Sequence, residues 1–163
     1  LMAHDYDAKY VDQSQQQPFT GETPLAPIKD VYLAMKYAMN GGSGVPKEKL
    51  VLQISFASTQ WQFKENLLQN PAPYRPEYYK IVDRMKDSST TVKSFNYSEL
   101  YQAPYLVYEA EGIKNIIWYE DERSTKAKME LARLLGIGGV SFWRLGMIPD
   151  FAEPVDEQLD MNV

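Results

Sequence analysis

The chain has 163 residues, no cysteine, 17 Lys and Arg against 22 Asp and Glu, and a formal net charge of −5. Its basic residues are dispersed rather than gathered into a patch, which argues against a nucleic-acid partner, and the lack of cysteine excludes disulfides, thiolate catalysis and Cys-based metal sites. No apolar run approaches the roughly 18 residues of a membrane helix, and one histidine among scattered carboxylates gives no ligand spacing, so neither membrane span, metal nor cofactor is expected.

The chain opens on an apolar, strand-like run, Leu1 to His4, with no turn or cap before it. Such an opening leads us to expect a segment ahead of Leu1. Lys9 to Pro27 is polar and rich in Pro and Gln, which predicts a loop. Ile28, Val31, Tyr32, Met35 and Met39 then recur at helical spacing, and Asn40-Gly41-Gly42 stops the helix. Leu50 to Phe56 is a short apolar run suited to a parallel strand covered on both faces.

The stretch from Ala57 to Trp118 far exceeds the two to about six residues of an ordinary βα loop, so it must carry its own structure. Pro76 starts a short helix with Tyr78, Ile81, Val82 and Met85 on one face. Thr90 to Tyr97, Pro104 to Glu109 and Lys114 to Glu120 read as strands, the last two joined by a turn at Glu111-Gly112. Ser124 is expected to cap a helix whose buried face is Ala127, Leu131, Leu134 and Leu135 and which ends at Gly136. Ile137 to Leu145 reads as a final strand with its core at Gly139 to Phe142, and Ile148 to Val163 as an acidic tail. Aromatic residues make up 13% of the chain, a content that fits sugar stacking but is equally met by core packing.

Four segments carry a resemblance. Leu1-Met2-Ala3-His4-Asp5 looks like a Met-x-Tyr-Asp strand end with His4 in the tyrosine position. Pro46-Lys47-Glu48-Lys49-Leu50-Val51-Leu52-Gln53-Ile54-Ser55-Phe56, with Trp61 five positions on, resembles the pattern PxEKxxLGIPxYGxxW. Asn96-Tyr97, Ala103 to Tyr108, Trp118-Tyr119-Glu120-Asp121 and Ser124 with Lys128 follow in order, and Gly138-Gly139-Val140-Ser141-Phe142-Trp143 closes the series. Together they resemble glycoside hydrolase family 18 over about residues 1 to 150, closest to its bacterial spore-cortex and peptidoglycan-lytic branch.

The resemblance implies an α/β fold: the carboxy-terminal portion, strands six to eight, of a TIM (β/α)8 barrel with a small α+β insertion between strands seven and eight. Residues 1–56 would hold strands six and seven with their helix, 57–118 the insertion, 119–150 the last helix and strand eight, and 151–163 the tail. The partner would be the amino-terminal barrel half, absent from this sequence. The resemblance further implies hydrolysis of a polysaccharide containing N-acetylglucosamine, peptidoglycan or chitin, by a protein that is extracellular and associated with cell wall or spore. In such enzymes the substrate's N-acetyl carbonyl attacks the anomeric carbon while a glutamic acid protonates the leaving oxygen. That acid ends a DxxDxE motif, which these residues lack.

By the same resemblance Asp5 faces the acetamido group and His4 replaces a tyrosine that donates to its oxygen. Met2, Trp143, Tyr119 and Trp61 would line the sugar sites. Each has a plainer alternative: a loop or cap aspartate for Asp5, a core role for the tryptophans, and complementing a helix's positive end for Glu120-Asp121. The departures at His4, Ala57, Ser55 and Arg144 leave open a binding protein that has kept the groove without catalysis, or a barrel that serves only as a scaffold.

Overall fold

The computed structural model describes residues 1–7, 23–41, 44–70 and 72–147. Most of the expected loop between Lys9 and Pro27, the end of the Asn40-Gly41-Gly42 stop and the tail from Ile148 lie outside the described residues.

Helix α1 runs Ile28–Asn40, entered from Pro27, whose ring fixes an extended approach, and it buries Val31 and Met35. Strand β1 (Val51–Ser55) pairs in parallel with β7 (Gly139–Trp143), Gln53 opposite Ser141 and Ser55 opposite Trp143. Along the other edge of β1, Met2 forms a parallel bridge to Gln53, closed by the Gln53 N–H donating to the Leu1 carbonyl at 2.9 Å. The strand expected over Leu1 to His4 is thus a single bridge within an extended segment. Ala3, Leu52 and Ile54 turn to the helix side and form one core with Val31, Met35 and Ala132. A period of two then places Met2, His4, Gln53, Ser55, Ser141 and Trp143 on the opposite face.

The start of β7 is locked to the start of β1. Gly138 N–H donates to the carbonyls of Lys47 and Leu50, both at 2.9 Å, and a Cβ on Gly138 would stand 2.2 Å from the Glu48 carbonyl oxygen.

Between β1 and the last helix lies a five-stranded antiparallel sheet. Its strands are β2 (Thr59–Lys64), β3 (Leu67–Leu68), β4 (Thr91–Ser98), β5 (Ala103–Ala110) and β6 (Ile113–Trp118), in spatial order β3-β2-β6-β5-β4. One face packs Trp61, Phe63, Ile116 and Trp118, with Tyr105 tilted on Trp118 at 4.4 Å between ring centroids. The other packs Leu106, Tyr108 and Ile117 against Ile81 of α2 (Tyr78–Lys86). Much of the aromatic content therefore fills this unit. Strands β5 and β6 join through Glu111 and Gly112, both at positive φ (52° and 73°), as a two-residue hairpin matched to strand twist requires.

Strand β2 is absent from the elements expected from sequence, although Thr59-Gln60-Trp61-Gln62-Phe63-Lys64 alternates along its length. Strand β6 ends at Trp118, two residues before the expected Glu120, whose carboxylate meets the next helix.

That helix, α3 (Glu122–Leu135), corrects two expectations. Its cap is Asp121 rather than Ser124: the Asp121 carboxylate accepts from Ser124 N–H at 2.7 Å, and Ser124 Oγ accepts from Asp121 N–H at 2.9 Å. Ser124 is the inner member of a capping box. The buried stripe is Ser124, Lys128 and Ala132 at i, i+4 and i+8, which turns Leu134 to solvent at 83% exposure. Leu131 and Leu135 do pack on the core. Gly136 closes α3 at φ 65°, and its N–H meets the carbonyls of Ala132 and Arg133. Gly136→Ala is expected to cost about 1 kcal/mol, since a Cβ is disfavoured in the left-handed region, and to lower the urea midpoint without changing its slope.

Candidate active site

At one end of the β1 and β7 sheet lie polar residues from the amino-terminal segment, from β1 and from the segment before α2. Adjacent strands lie about 4.8 Å apart, so the Leu1–His4 segment and β7 stand about 10 Å apart with β1 between them. At their carboxyl ends, His4 and Trp143 share one face. Met2 is 70% and Trp143 50% exposed on that face. Phe142 turns the other way and stacks on Phe56 at 5.8 Å, while the Trp143 carbonyl accepts from Phe56 N–H at 2.8 Å.

His4 is held rather than free to swing. Its Nε2 meets Gln53 Oε1 at 3.1 Å, and its Nδ1 lies 3.1 Å from Asp5 Oδ2 without a hydrogen bond, a contact that becomes an ion pair only when the ring is protonated. With Nε2 donating to the amide oxygen, a neutral ring leaves Nδ1 as an acceptor facing a carboxylate. Asp5 follows at φ 66°, a turn that lifts its carboxyl out of the strand direction, and its side chain is 65% exposed.

Asp5 does not stand alone. Arg75, from the segment leading into α2, reaches Asp5 Oδ1 at 3.7 Å and clasps Asp7 through both guanidinium nitrogens, Nη2 to Oδ1 at 3.1 Å and Nη1 to Oδ2. Asp7 is fully buried and also accepts from Thr59 Oγ1 at 2.7 Å, while the same hydroxyl accepts from Arg75 Nη1 at 3.0 Å. Two carboxylates and one guanidinium therefore sit at one end of the sheet, with the exposed carboxylate the less tightly paired. Such an arrangement can present an acceptor and a fixed negative charge to a ligand held against Trp143.

Tyr119 and Trp61 lie elsewhere. Trp61 is fully buried in the core of the five-stranded sheet, with Nε1 donating to the Thr23 carbonyl at 3.2 Å. Tyr119 is 8% exposed and packs with Ile81, Leu106 and Ile117, its ring tilted against Tyr78 at 6.2 Å. Both are placed as packing residues rather than at the sheet end that holds His4, Asp5 and Trp143. Glu120 does more than complement a helix end: its carboxylate takes Lys128 Nζ at 2.8 Å on both oxygens and Ser124 Oγ at 2.7 Å, fully inside the protein. Among the described residues no three His, Asp or Glu side chains are disposed to hold a metal, and no helix is long and apolar enough to cross a membrane.

Arg75, Thr59 and Gln53 carry no assignment from sequence. Gln53 did leave a signal, as a lone amide inside an apolar strand run. Arg75 left none, since it lies between two prolines, far along the chain from the aspartates it joins.

A family model described as glycosyl hydrolases family 18 matches residues 1–147. The chain belongs to glycosyl hydrolase family 18. The cortical fragment-lytic enzyme of Bacillus cereus is 28% identical over 156 residues, which cover 89% of this chain and 34% of that enzyme. Among solved structures, the Bacillus cereus spore cortex-lytic enzyme SleL matches with a TM-score of 0.64 at 25% identity, over 90% of this chain and 31% of that one. A family 18 chitinase from Cycas revoluta matches with a TM-score of 0.63 at 16% identity, over 97% of this chain and 43% of that one, and that likeness speaks to the fold alone. This family 18 chain thus spans about a third of the length of the curated relatives it matches. Its mixed α/β architecture corresponds to a fraction of the family 18 barrel.

Proposed function

We propose that the segment Leu1–His4 and strands β1 and β7 are strands six, seven and eight of a (β/α)8 barrel, and that residues 57–118 are an insertion between the last two. Residues 1–56 and 119–150 then form barrel wall, and 151–163 follow it as a tail. The face carrying Met2, Gln53 and Trp143 is the barrel interior, which explains why the apolar Met2 and Trp143 stand open to solvent here. The remaining strands of the barrel cover it.

The protein that contains this chain hydrolyses a β-1,4 bond next to N-acetylglucosamine in cell-wall peptidoglycan. A glutamic acid from an earlier strand protonates the leaving oxygen, the substrate's acetamido carbonyl closes on the anomeric carbon, and water then opens that intermediate with retention. Asp5 orients the acetamido group and stabilises the charge it gains, His4 gives its one N–H to the acetamido oxygen in place of Gln53 Oε1, and Trp143 with Met2 forms the floor beneath the sugar. What supports this reading is that His4 and Trp143 share one face at the carboxyl ends of parallel-running segments on either side of β1, with Asp5 following His4, an end at which barrel sites are built. The names of the Bacillus relatives favour peptidoglycan over chitin, and with it a place at the spore or cell wall.

A second reading, a carbohydrate-binding protein without turnover, is favoured by His4 in the place of a donor tyrosine and by the small Ala57 beside the site. One comparison separates the two. The polypeptide in its full genomic length is expected to release new reducing ends from cortical peptidoglycan fragments, whereas the purified 163-residue chain, lacking the DxxDxE acid, is expected to give none above background. Turnover by the short chain alone would overturn the mechanism, and binding without turnover by the long one would select the second reading.

A further inference from the structure

A separate cavity of about 540 Å³ lies in the insertion, on the sheet face that α2 only partly covers. Its wall is polar where the rest of that face is apolar: Gln60 and Gln62 of β2, Tyr108 of β5, Asn115 of β6 and Arg84 of α2. Their hydrogen bonds have a fixed direction. Arg84 can only donate, so the Gln60 atom it meets at 3.1 Å is the amide oxygen, and Gln60 Nε2 must then donate onward to Asn115 Oδ1 at 2.8 Å. Asn115 Oδ1 also accepts from Gln62 Nε2 at 2.9 Å, and Asn115 Nδ2 ends the chain on the Ile113 carbonyl at 2.9 Å.

This network holds Arg84 but does not neutralise it. Arg84 Nη1 meets two neutral oxygens, Gln60 Oε1 and the Tyr108 hydroxyl at 2.6 Å. Among the described residues no carboxylate pairs with it, since Arg75 is engaged by Asp7 and Asp5 and Lys80 by Glu77. The two acids that also line the cavity are otherwise placed: Asp87 is engaged by Ser89 through N–H and hydroxyl at 2.8 and 2.7 Å, and Glu111 is exposed on the hairpin turn. Tyr108 adds a donor. Its oxygen already accepts from Arg84 and from Gln60 Nε2, so its own proton is available, and burial pushes the phenol above its ordinary range and keeps that proton on. A guanidinium fork fixed by neutral partners, with a phenol donor beside it, matches a carboxylate.

We propose that this cavity binds a carboxylate-bearing substituent of the glycan, and so selects acidic cell-wall chains over neutral ones. The ligand class rests on the peptidoglycan reading above, while the anion site rests on Arg84 and its network. Arg75 links the two regions, because it lines the cavity and also stands 3.7 Å from Asp5. In such a polymer the carboxylate comes from a lactyl ether on the sugar or from an attached peptide.

The test is binding without turnover, on the polypeptide in its full length, by heteronuclear NMR titration. N-acetylmuramic acid carries the lactyl carboxylate, L-alanyl-D-glutamate the peptide carboxylates, and N-acetylglucosamine neither. Perturbation of the Gln60, Asn115 and Arg84 side-chain signals by at least one acid is expected, with the stronger acid naming the source, and the neutral sugar is expected to leave those signals unmoved. Arg84→Gln should weaken the acid by at least about tenfold, and Arg84→Lys, which keeps charge without the fork, should fall between. Unchanged amide dispersion in Arg84→Lys shows that its loss is not unfolding. Acid binding as tight in Arg84→Gln as in the parent, or no response to either acid, would overturn the proposal. An enzyme inactive on peptidoglycan that still binds the acids at these residues would instead remove the hydrolase reading and leave the anion site standing.

Discussion

Asp5→Asn, made in the polypeptide of full length, is expected to lower turnover on peptidoglycan fragments by on the order of 10²-fold or more while leaving the melting temperature nearly unchanged. The two halves of that expectation come from different features. Stability is spared because the side chain is 65% exposed and because asparagine tolerates the left-handed φ of 66° as well as aspartate does. Under the proposed mechanism turnover is not spared, because the acetamido group would gain positive charge as it closes on the anomeric carbon, and the amide would remove the negative charge proposed to face it. Steady-state kinetics with a parallel thermal melt measures both. A loss of less than about threefold in turnover, or a drop in stability that accounts for the loss, would return Asp5 to the role of a loop residue.

His4→Tyr sharpens the same test. If His4 donates to the acetamido oxygen, a phenol there keeps a donor through the neutral range, so activity should be retained or raised and its pH profile flattened near neutrality. Equal loss in His4→Tyr and His4→Ala would show another role for the imidazole, in keeping with its contact to Gln53, and would favour the binding protein.

The second large effect belongs to stability. Glu120 and Lys128 are 4% and 2% exposed, and the ammonium sits 2.8 Å from both carboxylate oxygens. Glu120→Gln leaves the lysine buried without its countercharge and is expected to cost about 3–5 kcal/mol, several times what an exposed pair would give. Lys128→Met should cost less, because Ser124 Oγ still satisfies one Glu120 oxygen. Combining the two should recover much of the loss, giving a coupling of at least about 1 kcal/mol in a double-mutant cycle followed by urea denaturation. Strict additivity would mean that the pair is not a functional unit of the fold.

Local signals made most of the architecture legible. The Leu50 to Phe56 run, the Ile28 to Met39 periodicity, the Glu111-Gly112 turn and the Gly136 stop each state their own conformation within a few residues. Where the sequence misled, a longer-range partner decided. Leu134 has the spacing of a core residue, but the helix is turned so that Lys128 can reach Glu120, and a buried lysine does not announce itself in a hydrophobic pattern. Ser124 is a good cap by type, yet Asp121 three residues earlier offers a charged acceptor and takes the position. Strand β2 is legible by its alternation, although in the family pattern Trp61 reads as the end of a motif rather than as part of a strand. At the candidate site, His4, Asp5 and Trp143 were reached only through resemblance, and Arg75 not at all, since pairing with Asp7 is a product of tertiary structure.

Arg75 also bears on how such enzymes could be recombined. In the proposed barrel arrangement the guanidinium belongs to the insertion, whereas the two aspartates it meets belong to the barrel wall. On that arrangement, exchanging the insertion between relatives to alter substrate range would transplant a positive charge to, or from, the strand ends that hold Asp5 and Asp7. A chimaera that omits it would leave Asp7, fully enclosed, with one fewer donor and Asp5 without the guanidinium beside it, so the graft boundary and the charge at the strand ends have to be designed together.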